Sequence, residues 1–302
     1  VRVSTPAPAK VNWTLEVLGR RPDGYHEVRT VLQTIELCDQ VRVSPAAGLE
    51  LVLRGPAGQA GPPPVEMPAA ENLAYRAAVL LRGRVGGPAL GARIELEKTI
   101  PAGAGLGGGS SDAAATLRAL DRLWGLGLSP DELARLGAQL GADVPFFIFG
   151  GTALGRGRGD EVTPLPDVPS QRLLLVVPRR RPARKTAAMY AHLLPEHFSS
   201  GEASERLAAA IRDGAMAGDD DICNVFEGIA AQVLPEAAAA AERCRGLGLR
   251  PHLAGSGPAQ FVLLRPDADS TPPREALSAA GLDVFEAATM TAQAATAVAE
   301  EA

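Results

Sequence analysis

Apolar and polar side chains alternate between residues 11 and 18. Val11, Trp13, Leu15 and Val17 fall on one side, and Asn12, Thr14, Glu16 and Leu18 on the other. A two-residue period is that of a strand, and this one reads as having a single buried face. Similar apolar runs predict strands over 28–37, 41–44, 49–53, 92–97, 152–154, 173–177, 252–254, 260–264 and 283–286. Helical composition marks 71–83, 129–140, 184–194, 202–213, 225–233 and 236–246. The helix at 129–140 opens on Ser129-Pro130-Asp131-Glu132, a cap followed by Pro and early carboxylates, and is expected to stop at Gly141. Residues 19–25, GRRPDGY, form a turn. Residues 55–70 read as a Pro/Gly-rich loop expected to be mobile, and residues 289–302, rich in Ala, Thr and Glu, read as a tail. The stretch PLPDVP, 164–169, best marks a domain boundary, dividing the chain into 1–165, 166–288 and the tail 289–302. Strands first, then helices, then a second mixed set predict an α+β protein of two lobes.

The segment PAGAGLGGGSSDAAATL, 101–117, changes this picture from architecture to chemistry. Five glycines, Gly103, Gly105, Gly107, Gly108 and Gly109, allow sharp bends and close approach of backbone to a ligand. Ser110, Ser111 and Asp112 ahead of an alanine-rich run read as the capping residues of a helix. A helix start offers unpaired N–H groups and partial positive charge, which suits phosphate. The segment therefore reads as a cradle for a polyphosphate, with a plain glycine-rich surface loop as the alternative. No Lys-Ser or Lys-Thr pair follows, so it is not a Walker P-loop. Gly103, Gly105 and Gly108 spell G-x-G-x-x-G, but a second helix-like stretch follows where a dinucleotide fold would return to a strand.

Composition then narrows the classes. The 302 residues allow one large or two modest domains, and an apolar content of 46% is ample for a core. A net charge of −5 argues against a nucleic-acid-binding or anionic-membrane surface. Cys38, Cys223 and Cys244 are dispersed and odd in number, which points to a reducing compartment without disulfides or clustered zinc ligands. No apolar run reaches the ~18 residues of a membrane span, and no charged-then-apolar leader opens the sequence, so a cytoplasmic protein is expected.

Phosphoryl transfer to a hydroxyl needs a cation near the reacting oxygens, a carboxylate for the proton, and a metal ion. Lys10 heads the first strand. On its chemistry alone it is either a solvated surface lysine or that cation. Asp143 lies in Gly141-Ala142-Asp143-Val144-Pro145. Pro145 disfavours helical geometry at Val144, so Asp143 is expected on a fixed non-helical corner, either as the carboxylate or as a turn aspartate bonding nearby N–H groups. A late glycine turn, Ala254-Gly255-Ser256-Gly257-Pro258, joins two strands. The Tyr25-His26 pair after Asp23-Gly24 can stack on and hydrogen-bond a base, or be an ordinary half-covered aromatic. The basic run Arg179-Arg180-Arg181, with Arg184 and Lys185, reads as a solvated face, with steering of an anionic substrate as a secondary role.

Together the Pro-Ala-Lys strand, the glycine-serine-serine cradle and the late Gly-x-Gly turn resemble the GHMP small-molecule kinases. The likeness runs from about residue 6 to 264 and is closest up to 160. It rests on PAKVNWTLEVLGRRPDGYHEV (8–28), ENLAYRAAVLL (71–81), the cradle, and GADVPFF (141–147). Lys-x-Asn followed by Pro-Asp-Gly-Tyr-His resembles the branch acting on a cytidine-diphosphate-linked methylerythritol, rather than the mevalonate, galactose or homoserine kinases. The resemblance implies ATP and Mg²⁺, a small cytidine-diphosphate substrate phosphorylated on its 2-hydroxyl in the non-mevalonate isoprenoid route, and no nucleic-acid or membrane partner. It implies an S5-like N-terminal lobe and a ferredoxin-like C-terminal lobe with the site between them. Asp143 would be the base and Lys10 its charged partner. Asn12 would contact substrate, Tyr25 and His26 would hold cytosine, and Tyr190, ending Thr186-Ala-Ala-Met-Tyr190, would be a second wall. ATP would lie on Pro101, Ala102, Gly103, Ala104, Gly105, Leu106, Gly107, Gly108, Gly109, Ser110 and Ser111, with adenine near Asn72 and Ser111 a candidate Mg²⁺ contact. Two positions depart from the family pattern: Pro258 in the late turn, and Val225 where an aspartate is usual in Asn224-Val225-Phe226-Glu227. A GHMP kinase for another alcohol, and a nucleotide-binding regulator without catalysis, are the competing readings. Tyr25-His26 disfavours the first, and retention of Lys10, Asp143 and the cradle disfavours the second.

Overall fold

The computed structural model of the protein describes residues 1–55, 68–87, 90–180, 182 and 185–301. The loop expected over 55–70 lies largely outside them, as do Arg181 and Arg184 of the basic run. The strands are β1 (Arg2–Arg20), β2 (His26–Pro45), β3 (Leu49–Arg54), β4 (Ala92–Glu97), β5 (Thr152–Arg156), β6 (Glu161–Leu165), β7 (Arg172–Pro178), β8 (Cys223–Asn224), β9 (His252–Leu253), β10 (Gln260–Leu264), β11 (Leu282–Ala288) and β12 (Ala299–Glu301). The helices are α1 (Leu73–Val85), α2 (Gly108–Trp124), α3 (Pro130–Gly137), α4 (Val144–Phe149), α5 (Lys185–Ala191), α6 (Glu202–Arg212), α7 (Glu227–Val233), α8 (Pro235–Gly246), α9 (Thr271–Ala279) and α10 (Ala292–Ala295). The α+β class expected from the pattern is the class observed.

One sheet runs β12-β1-β2-β4-β3, with β5 and β6 continuing from β2 and β8 lying parallel to β1. The apolar sides of α1, α2 and α4 pack on it around Leu81, Ile94, Leu96, Leu117 and Phe146. The strands expected over 28–37 and 41–44 are one strand, β2. Pairing jumps from Pro8↔Cys38 to Ala9↔Ile35, so Glu36 and Leu37 form a bulge that breaks the alternation without ending the ladder. The second sheet, β11-β7-β10-β9, is antiparallel throughout. Its connectivity, strand–helices–strand–strand–helix–strand, is the ferredoxin-like pattern. Helix α9, which the sequence pattern does not single out, supplies its second crossover.

Between the sheets lies a core of Val11, Trp13, Ile35, Leu173, Leu175 and Phe261, with Trp13 edge-on to Phe261 at 5.7 Å. Strand β1 is therefore central. Its polar side, expected to face water, is buried as well: Lys10 is 4% exposed, Asn12 3% and Thr14 0%. Alternation marks which side chains are polar, and here the polar side is covered by residues from later in the chain. The expected tail is also built in. Met290 N–H donates to Thr34 O at 2.9 Å, and β12 pairs antiparallel with the start of β1, Arg2 opposite Glu301. The backbone of β12 completes an edge of the sheet, a role that composition does not encode. Cys38, Cys223 and Cys244 are free thiols, and among the described residues no helix is long and apolar enough to cross a membrane.

Candidate active site

The cradle threads between β1 and the late glycine turn. Lys10 N–H donates to Leu106 O at 3.0 Å, and Ala259 N–H donates to Ala104 O at 3.1 Å. Pro101 and Ala102 lead into these contacts as an irregular turn with Gly103. Gly105 has φ +93°, and a Cβ there would lie 2.3 Å from Ala254 O. Gly107 has φ +75°, and a Cβ there would strike the Phe147 ring at 2.7 Å and the Lys10 stem at 3.0 Å. Only glycine fits either position. Helix α2 begins at Gly108 with Gly107 as its N-cap and no side-chain cap. This corrects the expectation that Ser110, Ser111 and Asp112 cap it; they sit inside its first turns. The positive φ at Gly107 already turns the chain, so the helix starts earlier, and Gly108, Gly109 and Ser110 open it with no side chain bonded to their N–H groups. Ser111 is fully buried and its hydroxyl has no partner. Asn72 accepts from Ala74 N–H at 2.9 Å as the cap of α1. A Cβ on Gly109 would touch the adjacent Leu73 at 3.6 Å, so α1 and α2 start side by side.

At the mouth of this cradle Lys10 Nζ donates to Asn12 Oδ1 at 2.6 Å and lies 3.9 Å from Asp143 Oδ2. Asn12 in turn donates to Thr30 Oγ1 at 2.8 Å. Lys10 is not the solvated surface lysine of the first alternative. Asp143 caps no helix N–H with its side chain, so the turn-aspartate alternative is not realised either. Nor is it on a non-helical corner: it has φ −81° and ψ −13°, and α4 starts at the next residue. Pro145 sits in the first turn of that helix, where its missing N–H has no intrahelical partner to lose. The late turn closes the site from the second lobe. A Cβ on Gly255 would lie 3.0 Å from Lys10 Nζ. Next to it, Ser256 Oγ accepts from Lys185 Nζ at 3.1 Å and is 2.8 Å from Thr186 Oγ1. Lys185 is buried, unlike Arg179 and Arg180, which pair with Asp283 and Glu236 on the surface. The solvated-face reading of the basic run fails at this residue. Nothing in a run of basic letters marks the one that turns inward.

His26 and Tyr190 come together, ring centroids 4.9 Å apart and 32° from parallel, with Phe198 and Phe226 edge-on behind them. His26 Nε2 is buried without a partner. Burial, then the charge of Arg20, pulls its pKa down, leaving a neutral ring. Burial, then the charge of Asp143, pushes the Tyr190 hydroxyl up. Tyr25 stands apart, 56% exposed, with the Arg158 guanidinium 5.0 Å over its ring.

Residues 72–151 match the family model described as the GHMP kinases N terminal domain. A 4-diphosphocytidyl-2-C-methyl-D-erythritol kinase of Moorella thermoacetica is 45% identical over 268 residues, covering 86% of this chain and 89% of that protein. One of Dehalococcoides mccartyi is 42% identical over 261 residues, covering 86% and 88%. A crystal structure of 4-(cytidine 5'-diphospho)-2C-methyl-D-erythritol kinase superposes with a TM-score of 0.75 at 38% identity, covering 95% of this chain and 98% of that one. The chain belongs to the 4-diphosphocytidyl-2-C-methyl-D-erythritol kinase family. Its fold is that of the GHMP kinases.

Within that family frame the two departures find places. Val225, like Tyr190 and Phe198, packs its side chain against the buried cluster around Met189, Phe226 and Ile229, while its N–H donates to Leu15 O at 2.9 Å. Its neighbours hold the late turn: Asn224 Nδ2 donates to Leu253 O and Gly255 O, both at 2.8 Å, and Glu227 accepts from Leu253 N–H at 2.9 Å. Pro258 follows a cis peptide, and the turn still meets the cradle through Ala259 N–H. Beneath α2, Lys98 is clasped by Asp39 and by Asp112, the latter at 2.6 Å, and Asp39 also accepts from Ile100 N–H at 2.8 Å. Burial lowers the Lys98 pKa, but the two carboxylates more than reverse it and hold it raised. Arg118, buried in α2, donates to Phe147 O and to Pro6 O and Ala295 O at 3.2 and 3.4 Å.

Proposed function

We propose that this kinase transfers the γ-phosphoryl group of ATP to the 2-hydroxyl of 4-(cytidine 5'-diphospho)-2-C-methyl-D-erythritol. The observation that carries this reading is the buried Lys10, 3.9 Å from the Asp143 carboxylate, at the uncapped start of α2. The first N–H groups of α2 bind the phosphates of ATP, whose base lies toward Asn72. The paired rings of His26 and Tyr190 and the exposed ring of Tyr25 hold cytosine. A neutral imidazole offers the base both a donor and an acceptor. Asn12 fixes Lys10 and meets the acceptor.

In the transfer, Asp143 takes the proton of the acceptor hydroxyl. The freed oxygen bonds to the γ-phosphorus as the bond from that phosphorus to the ADP oxygen breaks. Lys10 faces the charge that spreads over the phosphoryl oxygens in a loose transition state. Mg²⁺ would accompany ATP and neutralise phosphate charge. The partnerless Ser111 hydroxyl fits one position in its coordination shell. Phosphate oxygens and water would supply the rest of that shell. The free thiols suit a reducing, cytoplasmic setting.

ADP release measured over a panel of alcohols tests the reading. The cytidine substrate should be turned over and mevalonate, homoserine and galactose much less. Equal or faster turnover of any of those three would overturn it.

A further inference from the structure

Lys185 opens α5 and is 7% exposed, yet no carboxylate pairs with it among the described residues. Its ammonium group holds Ser256 at 3.1 Å, while the Lys10 ammonium lies against Gly255 one residue earlier. Two buried cations thus bracket neighbouring residues of one turn, and among the described residues the carboxylate that pairs with either of them is Asp143, on the Lys10 side. Burial, then the charge of Lys10, pulls the Lys185 ammonium down to about 8. A buried, unpaired ammonium beside another is unfavourable in the free protein, and an anion between them relieves both.

We infer that Lys185 is a second catalytic cation, contacting the transferring phosphoryl group from the C-terminal lobe as Lys10 contacts it from the N-terminal lobe. The inference rests on the phosphoryl-transfer reading above. As the acceptor oxygen bonds to phosphorus and ADP departs with the electron pair of the broken P–O bond, negative charge moves onto oxygens that two ammonium groups then share. An interaction strongest at that moment raises kcat more than it lowers KM.

The test uses the full chain, Mg-ATP and the cytidine substrate, with Lys185→Met and Lys185→Arg. Lys185→Met should lower kcat by about 10- to 1000-fold with each KM changing less than about 5-fold, and Lys185→Arg should recover part of the loss. Wild-type kcat/KM, which reports the free protein, should decline as pH rises through about 8, and the Lys185→Arg profile should lack that limb, because arginine stays charged. Among the described residues the other titratable groups around the turn are Lys10 on β1, Asp143 before α4, Tyr190 on α5 and Glu227 on α7, which accepts from Leu253 N–H, and all four are intact in both variants. The free Lys185→Met protein should melt at a higher temperature than wild type at pH 7, since an uncompensated charge is gone. Should Lys185→Met keep kcat within about 3-fold of an active wild type, the inference fails and the kinase reading stands. A lower melting temperature with raised KM and unchanged kcat would likewise overturn it, leaving Lys185 as a tie between α5 and the turn. A wild type inactive on the cytidine substrate would sink the functional reading and this inference with it.

Discussion

Lys98, largely covered, and Lys185, buried, are both cations near the glycine cradle, and their surroundings are opposite. Lys98 is clasped by Asp39 and Asp112, and its pKa is raised despite burial. Lys185 has a serine hydroxyl and the neighbouring charge of Lys10, and its pKa is lowered. The first cation is completed by the protein and fixes the base of α2. The second is left for a ligand to complete. Burial alone does not separate these two lysines; the pair of internal carboxylates beside Lys98, with none beside Lys185 among the described residues, does.

The largest effects should come from the site side of this contrast. Asp143→Asn and Lys10→Ala should each cost about 10²–10⁴ in kcat with little change in melting temperature. Their double mutant should lose less than the product of the two factors, because the pair acts as a unit. If either folded variant keeps near-wild-type kcat, that residue is not part of the transfer. On the structural side, Lys98→Met strands two buried carboxylates and should cost about 3–5 kcal/mol, read as a lower urea midpoint. An unchanged midpoint would erase the distinction between the two lysines.

Tyr25→Ala should raise KM for the cytidine substrate by roughly one to two orders of magnitude, and Tyr190→Ala should raise it less, with KM for ATP unmoved. Tyr25→Phe should be mild. A response in the ATP KM instead would reverse the assignment of the two ends. Stability against pH separates the lysines again. Lys185, charged only below about 8 in the fold and below 10.5 when unfolded, makes stability rise with pH between those values. Lys98, with its folded pKa above 10.5, gives stability that is full below 10.5 and lost above it. Denaturant midpoints of wild type and Lys185→Met should converge from pH 8 to 10.5; parallel curves would refute the depressed value. The smallest effect is a control: Ser129→Ala removes the capping box with Glu132 at the start of α3 and should cost about 1 kcal/mol with kcat unchanged.

Much of this was legible in the chain. The cradle, β4 and the Ser129–Glu132 cap follow from local rules, since turn chemistry and capping depend on residues a few positions apart. Lys10 and Asp143 stood out by motif, yet their approach depends on β1 and α4 being brought together by α2, which no local pattern encodes. The polar side of β1 read as solvent-facing because alternation cannot tell water from a second lobe. Lys185 was hidden in a basic run whose other described members are surface ion pairs. The His26–Tyr190 pairing joins residues 164 positions apart in number and left a signal in the motif likeness alone.

The pairing of β12 with β1 also sets a schedule for synthesis. Residues 299–301 leave the ribosome nearly 300 residues after residues 2–4. At ~5–20 residues per second, the opening strand waits about 15–60 s for its edge partner. Its other late neighbour, β8, arrives only at residues 223–224. Throughout that interval the nascent first lobe presents an unpaired strand edge, the kind of surface that chaperones shield and that neighbouring nascent chains can template on. Pulse proteolysis of ribosome-bound chains stalled before residue 299 should therefore find β1 cleavable, and chains that carry residues 299–301 and have left the ribosome should resist.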